Sequence, residues 1–154
     1  MNRTGAVALV ALLTLPLAAC GKDEQEEFAE QGNEICTELR ARADAATKQI
    51  RAAEGEPEKL KVALTDSRGV LAETQQRFDE LDAPEDQRED FDAYKVDLGQ
   101  VLELYDRLPG ALEAAAEDGR TRELTALQGQ LTQVTKKSGI EARKLGFDSC
   151  AADS

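Results

Sequence analysis

The 154-residue chain contains no histidine and no tryptophan, and aromatic residues make up only 4% of it. Without histidine there is no imidazole base for a Ser or Cys nucleophile, no imidazole zinc ligand and no histidine ligand for haem. The scarcity of aromatic residues gives little support to an aromatic-lined cavity or an aromatic hot spot. Several kinds of enzyme are therefore excluded.

Basic residues are scarce relative to acidic ones, with 19 Lys and Arg against 31 Asp and Glu, which gives a net charge of −12. Such a surface repels the phosphates of nucleic acids and the headgroups of anionic lipids. We therefore expect no nucleic-acid partner, and no membrane binding through the protein surface itself.

Strongly apolar runs are missing except for one near the start of the chain, between Gly5 and Pro16. This run is too short to span a bilayer comfortably. Because Arg3 precedes it, the segment has the charge and hydropathy pattern of an export signal.

The export signal ends in Leu17-Ala18-Ala19-Cys20-Gly21, which resembles the lipobox of bacterial lipoproteins. In that family the Cys thiol is alkylated by diacylglycerol and the chain is cut just before it. The resemblance implies a signal peptide over residues 1–19, lipidation of Cys20 and attachment to the extracytoplasmic face of the cell membrane. An ordinary secretory cleavage site and an uncleaved anchor are the alternatives.

Lipidation of Cys20 would leave Cys36 and Cys150 as a pair in an oxidising compartment. A disulfide is the simplest interpretation of such a pair in a small exported domain. Two free buried thiols or a soft-metal site are the alternatives, although neither has supporting ligands nearby in the sequence. The sequence therefore predicts Cys20 as the lipidation site and Cys36 and Cys150 as the disulfide pair, with no catalytic or metal-binding residue.

The rest of the chain predicts helix almost throughout, because it is rich in Ala, Leu, Glu, Gln and Arg and its apolar residues recur every three or four positions. Residues 20–27 are predicted to form a charged tether, and residues 28–154 a four-helix domain. The apolar stripes run over residues 28–50, 60–81, 91–112 and 124–145. Pro109 falls inside the third stripe, where it predicts a kink or a short interruption.

Four amphipathic helices with short connections predict an all-α fold, an antiparallel up-down-up-down four-helix bundle. This order places the start of helix 1 beside the end of helix 4, where Cys36 and Cys150 lie. To reach Cys36, the chain is predicted to reverse at Gly146, and Phe147 to cap the end of the core. Two helical hairpins that do not pack together would leave the two cysteines far apart.

The densest acidic cluster spans residues 79–92 and suggests Ca²⁺ binding, because hard cations take carboxylate ligands. The cluster lacks the D-x-[DN]-x-[DN]-G pattern, and acidic residues are also favoured in the first turn of a helix. We therefore expect no metal and no cofactor. Inside the helices, Gly69, Gly99, Gly129 and Gly139 each cost about 1 kcal/mol relative to Ala.

A second resemblance involves both ends of the expected mature chain. The Cys within NEICTELRARADAA, and the closing helix followed by LGFDSC, look like a group of small helical lipoproteins of high-GC Gram-positive bacteria. The resemblance implies an envelope location, a helical bundle and a terminal disulfide. It implies no catalytic residue, because that group has no assigned activity.

The preferred hypothesis is a non-enzymatic, lipid-anchored bundle that binds another envelope protein or plays a structural part outside the membrane. A carrier or sensor that holds an apolar ligand in the bundle core is the alternative. An enzyme is disfavoured, because no nucleophile has a base in a recognisable pattern. A carrier should show a cavity of several hundred Å³, whereas a partner-binding bundle should expose an apolar patch, for which Val62, Val70 and Val96 are the candidates.

Overall fold

The computed structural model describes residues 24–53, 55–119 and 121–151, which form four α-helices and no strand. The helices are α1 (Glu24–Ala52), α2 (Pro57–Asp79), α3 (Arg88–Asp118) and α4 (Arg122–Lys144). The all-α prediction is confirmed. Residues 145–151, which follow α4, are here termed the tail.

Ion pairs between neighbouring helices establish the antiparallel order. The pairs are Glu38–Arg77 and Arg42–Glu73 between α1 and α2, Lys61–Glu113 and Arg68–Asp106 between α2 and α3, and Asp90–Lys144 and Asp97–Lys137 between α3 and α4. In each set, the residue number rises along one helix as it falls along the next. The up-down-up-down prediction is confirmed.

The helices pack in the order α1 on α2, α2 on α3 and α3 on α4. Although α1 and α4 are both described over their whole length, no Cα of α1 lies within 8 Å of a Cα of α4. Three seams of the bundle are therefore closed by direct packing of helices, and the fourth is open.

Two clusters of buried side chains form the core. The aromatic cluster lies at the end where α1 begins, and its large side chains are Phe28, Phe78, Phe91, Tyr94 and Phe147. The aliphatic cluster lies toward the other end and consists of Leu64, Leu104, Leu108, Ala111 and Leu127. Except for Leu104, Ala111 and Phe147, these residues come from the predicted stripes, because an amphipathic helix must bury its apolar face.

The chain reverses after α4 as predicted. Gly146 has a φ of +74°, a left-handed conformation that glycine adopts without a steric penalty. Its N–H donates to the carbonyl of Arg143, and the N–H of Phe147 donates to the carbonyl of Ala142. These two bonds form a Schellman motif, which ends the helix and turns Phe147 into the core.

Two sequence predictions need correction. Residues 24–27 belong to the first turn of α1 rather than to the tether of residues 20–27, because acidic side chains such as Glu24 and Glu26 stabilise a helix N-terminus. The other tether residues, 20–23, lie outside the described residues. Pro109 does not interrupt α3, which is continuous through it. Burial of Leu104, Leu108 and Ala111 on either side offsets the hydrogen bond that Pro109 cannot donate.

Candidate functional site

The open seam contains a cleft of about 260 Å³, here termed the α1–α4 cleft. Its floor is apolar and consists of Leu71 from α2 and Leu98 and Val101 from α3. These residues belong to the stripes that bury the core elsewhere in the bundle. The cleft therefore reaches the interior along the seam where α1 and α4 do not meet, and Leu98 and Val101 keep 8% and 9% of their surface exposed there.

Small side chains form much of the cleft walls. Ala43 lies on the α1 wall, and Thr135 and Gly139 lie on the α4 wall. Small residues let the backbone of a binding segment approach closely, as they do where two helices pack tightly. The described lining residues include no carboxylate, so the cleft offers shape and apolar surface rather than an acid or a base.

The tail closes one end of the cleft. Cys36 on α1 is disulfide-bonded to Cys150, with the two Cα atoms 4.9 Å apart, which confirms the predicted pairing. The hydroxyl of Tyr94 donates to Sγ of Cys150 at 3.1 Å. Burial raises the pKa of Tyr94, and the neighbouring Ser138 hydroxyl lowers it by a smaller amount. The phenol is therefore neutral at physiological pH and acts as a hydrogen-bond donor.

Phe147 fixes the tail from inside the bundle. Its side chain is fully buried, and the centroids of four other rings lie 5.1–6.2 Å from its own. On α1, a Cβ atom added to Gly32 would lie 2.1 Å from Cε1 of Phe147. Only glycine at position 32 leaves room for the ring, so Gly32 positions the tail across α1.

Asn33 holds the backbone of the tail against α1. Its Nδ2 donates to the carbonyl of Gly146 at 2.7 Å, and its Oδ1 accepts a hydrogen bond from the N–H of Ser149 at 2.8 Å. These bonds satisfy the carbonyl of Gly146 and the N–H of Ser149, which lie beyond the end of α4 and outside its hydrogen-bond pattern. Neither Asn33 nor Gly32 was predicted from the sequence, although Gly32 lies one helical turn from Phe28 and from Cys36, within the apolar stripe.

The rims of the cleft carry basic residues that form no ion pair with any described residue. Arg40 lines the α1 side, one turn from Cys36. On α4, Lys136 and Arg143 lie three residues before and four residues after Gly139, which places all three on one helix face. Among the described residues, no acidic side chain lies within 4.0 Å of these three cations, whereas nine other basic residues form salt bridges.

An ion pair between buried Asp97 and exposed Lys137, which the sequence did not predict, closes the seam between α3 and α4. The Asp97 side chain is fully buried, and its Oδ1 accepts a hydrogen bond from Nζ of Lys137 at 2.6 Å. Its Oδ2 has no hydrogen-bond partner among the described residues. The available signal was the spacing of Asp97 from Tyr94 and Val101, which puts a carboxylate at the edge of the stripe.

The acidic cluster of residues 79–92 is divided among several partners. Asp79 and Asp92 both lie within 4.0 Å of Lys95, and Asp90 lies 3.3 Å from Lys144. Within the described ranges, no three Asp, Glu, Cys or His side chains are grouped so that they could hold a metal ion. The structure therefore gives no support to a Ca²⁺ site in this segment.

Three further grooves lie at the opposite end of the bundle, near the two connections that contain Gly55 and Gly119. Their volumes are about 480, 520 and 690 Å³. The 480 Å³ groove is lined by Leu60 and Leu112, two residues of the predicted stripes, together with Pro109. It is the feature that best matches the expectation for a carrier.

The off-stripe valines do not form the expected apolar patch. Val62 and Val96 are 60% and 58% exposed, whereas Val70 is half-buried. The ion pair between Asp79 and Lys95 places Val96 level with the end of α2, so Val62 lies about 24 Å further along the bundle axis. Single exposed apolar residues are ordinary on protein surfaces.

Cys20 and the signal peptide of residues 1–19 lie outside the described residues. Of the four helices that are described, none is long and apolar enough to cross a membrane. Comparison of the chain with protein-family models, curated proteins and solved structures gives no match.

Proposed function

We propose that the protein is a non-enzymatic, lipid-anchored helical bundle of the cell envelope, and that it binds another envelope protein in the α1–α4 cleft. The observation that carries this proposal is the open seam. Three seams are closed by helix packing and ion pairs, whereas the fourth leaves Leu71, Leu98 and Val101 at the floor of a cleft. An apolar strip between two helices is the kind of surface on which a helical segment of another protein docks.

The dimensions of the cleft favour a protein segment over a small ligand. Its volume of about 260 Å³ is below the ~300–1,000 Å³ typical of small-molecule pockets. The deeper core beneath it is filled, because Tyr94 and Phe147 pack there with almost no exposure. Side chains that project from a docked helix need only shallow space of this kind.

The lipobox supplies the second part of the proposal. Lipid on Cys20 would attach the chain to the membrane just before α1 begins at Glu24. The 29-residue α1 is about 43 Å long at ~1.5 Å per residue. Cys36 and the cleft would then stand above the membrane surface, within reach of other envelope proteins.

Photocrosslinking in intact cells tests the docking proposal. A benzoylphenylalanine at Thr135, on the α4 wall of the cleft, should give one discrete protein adduct of constant mass. The matched control places the same residue at Lys48, which is exposed and does not line the cleft. Equal adducts from both positions, or no protein adduct from Thr135, would contradict docking in the cleft.

Metabolic labelling with palmitate tests the anchor. Wild-type protein should carry label and fractionate with membranes, and Cys20→Ser should lose both properties. A Cys20→Ser protein that stays in the membrane fraction without lipid would contradict the lipobox interpretation.

The carrier remains a second candidate because of the 480 Å³ groove at Leu60 and Leu112. Native mass spectrometry of protein purified from its host separates the two functions. A stoichiometric extra mass that Leu112→Trp abolishes would favour the carrier, and a bare chain would favour protein binding.

A further inference from the structure

We infer that the segment bound in the α1–α4 cleft is an amphipathic helix whose apolar stripe is flanked by acidic residues. The inference rests on the proposed function, because it names the chemistry of the partner that the cleft takes. It is carried by the charge on the rims together with the shape of the cleft between them.

The described lining of the cleft includes no Asp or Glu, although the chain has a net charge of −12. Arg40 on the α1 rim and Lys136 and Arg143 on the α4 rim have no ion-pair partner among the described residues. The acidic residue nearest to Arg143 in α4 is Glu141, which bonds Nζ of Lys144 at 2.7 Å. The rims are therefore basic on both sides of an apolar floor.

The other seams show how this chain uses its basic residues between helices. Arg42 bonds Glu73 across the first seam, Arg68 bonds Asp106 across the second and Lys137 bonds Asp97 across the third. In each case, a basic residue on one helix meets an acidic residue on its neighbour. Across the fourth seam both helices carry basic residues, and no acidic residue among the described ones lies within 4.0 Å of Arg40, Lys136 or Arg143, so acidic residues on an incoming helix would complete the same pattern.

The shape of the cleft selects a helix as the occupant. Its two walls are antiparallel helices, and Ala43 and Gly139 present little or no side chain toward the space between them. A docked helix can therefore place an apolar stripe over Leu98 and Val101 with its flanks beside the basic rims. This is the helix-in-groove mode, in which anchors recur every three or four residues.

The test uses two stapled helical peptides of about 20 residues, since unconstrained peptides of this length are only marginally helical. Both carry one leucine stripe, and one has Glu at every flanking position where the other has Lys. Binding to the full chain in phosphatidylcholine nanodiscs is measured by fluorescence anisotropy, and binding to empty nanodiscs is subtracted. We expect the Glu peptide to bind at least tenfold more tightly at low salt, and the difference to shrink as salt rises.

Charge reversal on the rims locates the binding. Arg40→Glu and Lys136→Glu should each weaken binding of the Glu peptide about fivefold, since each replaces an attraction with a repulsion. Lys48→Glu makes the same change in net charge at an exposed position outside the cleft that pairs with no described residue, and it should change affinity less than twofold. Circular dichroism confirms that each variant keeps its helix content.

Three outcomes would overturn the inference, and they bear differently on the proposed function. If the Lys peptide binds as tightly as the Glu peptide and competes with it, the cleft binds helices without selecting acidic ones, and the proposed function stands. If neither peptide binds but the fatty acid anion cis-parinarate binds and Arg40→Glu abolishes it, both fail in favour of an anionic lipid. A dimer of the full chain that Arg40→Glu dissociates would make a second copy the occupant.

Discussion

The two ends of the bundle are built from different residues and closed in different ways. At the end where α1 begins, four phenylalanines and Tyr94 pack together and a disulfide joins α1 to the tail. The opposite end is aliphatic, with Leu64, Leu108 and Leu127 at its centre, and helices α1 and α4 have no covalent link there. Grooves of about 480–690 Å³ lie beside the connections at that end.

The difference shows how a bundle can keep one seam open without falling apart. At the aromatic end, the tail occupies the space between α1 and α4 and holds the two helices at a fixed separation through Cys150 and Phe147. Beyond the tail nothing among the described residues fills that space, and the cleft begins. This aromatic end, where the tail is joined to α1, is here termed the sealed end. It thus determines the width of the open seam, which is the site of the proposed function.

The largest effect is expected from loss of the disulfide. The bond closes a loop with a sequence separation of 114, and in the chain-entropy model such a loop contributes about 4–5 kcal/mol to the free energy of unfolding. A Cys36→Ala/Cys150→Ala variant should lose about that much in urea unfolding followed by circular dichroism. Cys20→Ala, which keeps the disulfide, is the control and should match the wild type.

Hydrogen exchange then tests whether the two ends differ as described. Without the disulfide, amide protection should fall first in the tail and in α1 around Cys36, while α3 and α4 around Leu108 and Leu127 stay protected until the bundle unfolds globally. The same measurement on reduced wild-type protein serves if the double variant does not accumulate. Uniform loss of protection would contradict a locally sealed end.

Gly32→Ala should be the most damaging single-methyl change. The added Cβ would lie 2.1 Å from the ring of Phe147, and four neighbouring rings prevent that ring from moving aside. Overpacking of this kind costs about 2 kcal/mol, measured as the change in the free energy of unfolding. Adding Phe147→Leu, which shortens the clashing side chain, should recover part of the loss. Simple additivity of the two changes would show that the contact is not the cause.

Alkaline pH should separate the two tyrosines. Burial raises the pKa of Tyr94 at the sealed end, and raises that of the partly exposed Tyr105 toward the opposite end by less. Above about pH 10 the unfolded chain loses the phenol proton while the folded chain keeps it, so stability falls by up to about 1.4 kcal/mol per pH unit. Below that pH the neutral phenol persists in both states and this dependence vanishes.

Tyr94→Phe should therefore flatten the decline of the unfolding free energy between about pH 10 and 11. Tyr105→Phe is the matched control and should flatten it less. For each variant, the unfolding free energy at alkaline pH is compared with its own value at pH 7. This reference is needed because Tyr94→Phe also removes the hydrogen bond to Cys150 at every pH. Identical slopes for the two variants would mean that both rings are equally exposed.

Most of the sealed end could be predicted from the sequence, because its signals are local. Cysteine pairing, the glycine after the fourth stripe and the position of Phe147 together predict that the chain reverses and caps the core. Apolar periodicity shows which face of each helix is buried, but it does not show which helices touch. The open seam therefore could not be predicted, since the stripes of α1 and α4 look the same whether or not the two helices meet.

The residues that the prediction missed share one physical reason. Gly32 and Asn33 act through the tail, and Asp97 acts through Lys137, so each has its role only in relation to a residue distant in sequence. In the sequence alone, Gly32 is an unfavourable residue in a helix, and the position of Asp97 at the edge of the apolar stripe does not show that Lys137 pairs with it. The two corrections, the helical state of residues 24–27 and the absence of an interruption at Pro109, arose in the opposite way, because local composition was overridden by the helix dipole and by packing.

The smallest expected effect is that of Gly129→Ala. It sharpens the comparison of the two ends because this substitution should stabilise the bundle, whereas Gly32→Ala should destabilise it. Gly129 lies in α4, in the half nearer the opposite end, is exposed, and would meet nothing within 4 Å if it carried a Cβ. Gly129→Ala should therefore raise the free energy of unfolding by about 0.5–1 kcal/mol, since alanine loses less backbone entropy in a helix. The same substitution is expected to destabilise at position 32 and to stabilise at position 129. Because the helix-propensity gain is the same at both positions, the difference between the two changes in unfolding free energy measures the cost of the clash between a Cβ at position 32 and the ring of Phe147. Urea unfolding of both variants would give that quantity directly, and a loss of stability at both positions would mean that the two ends are packed alike.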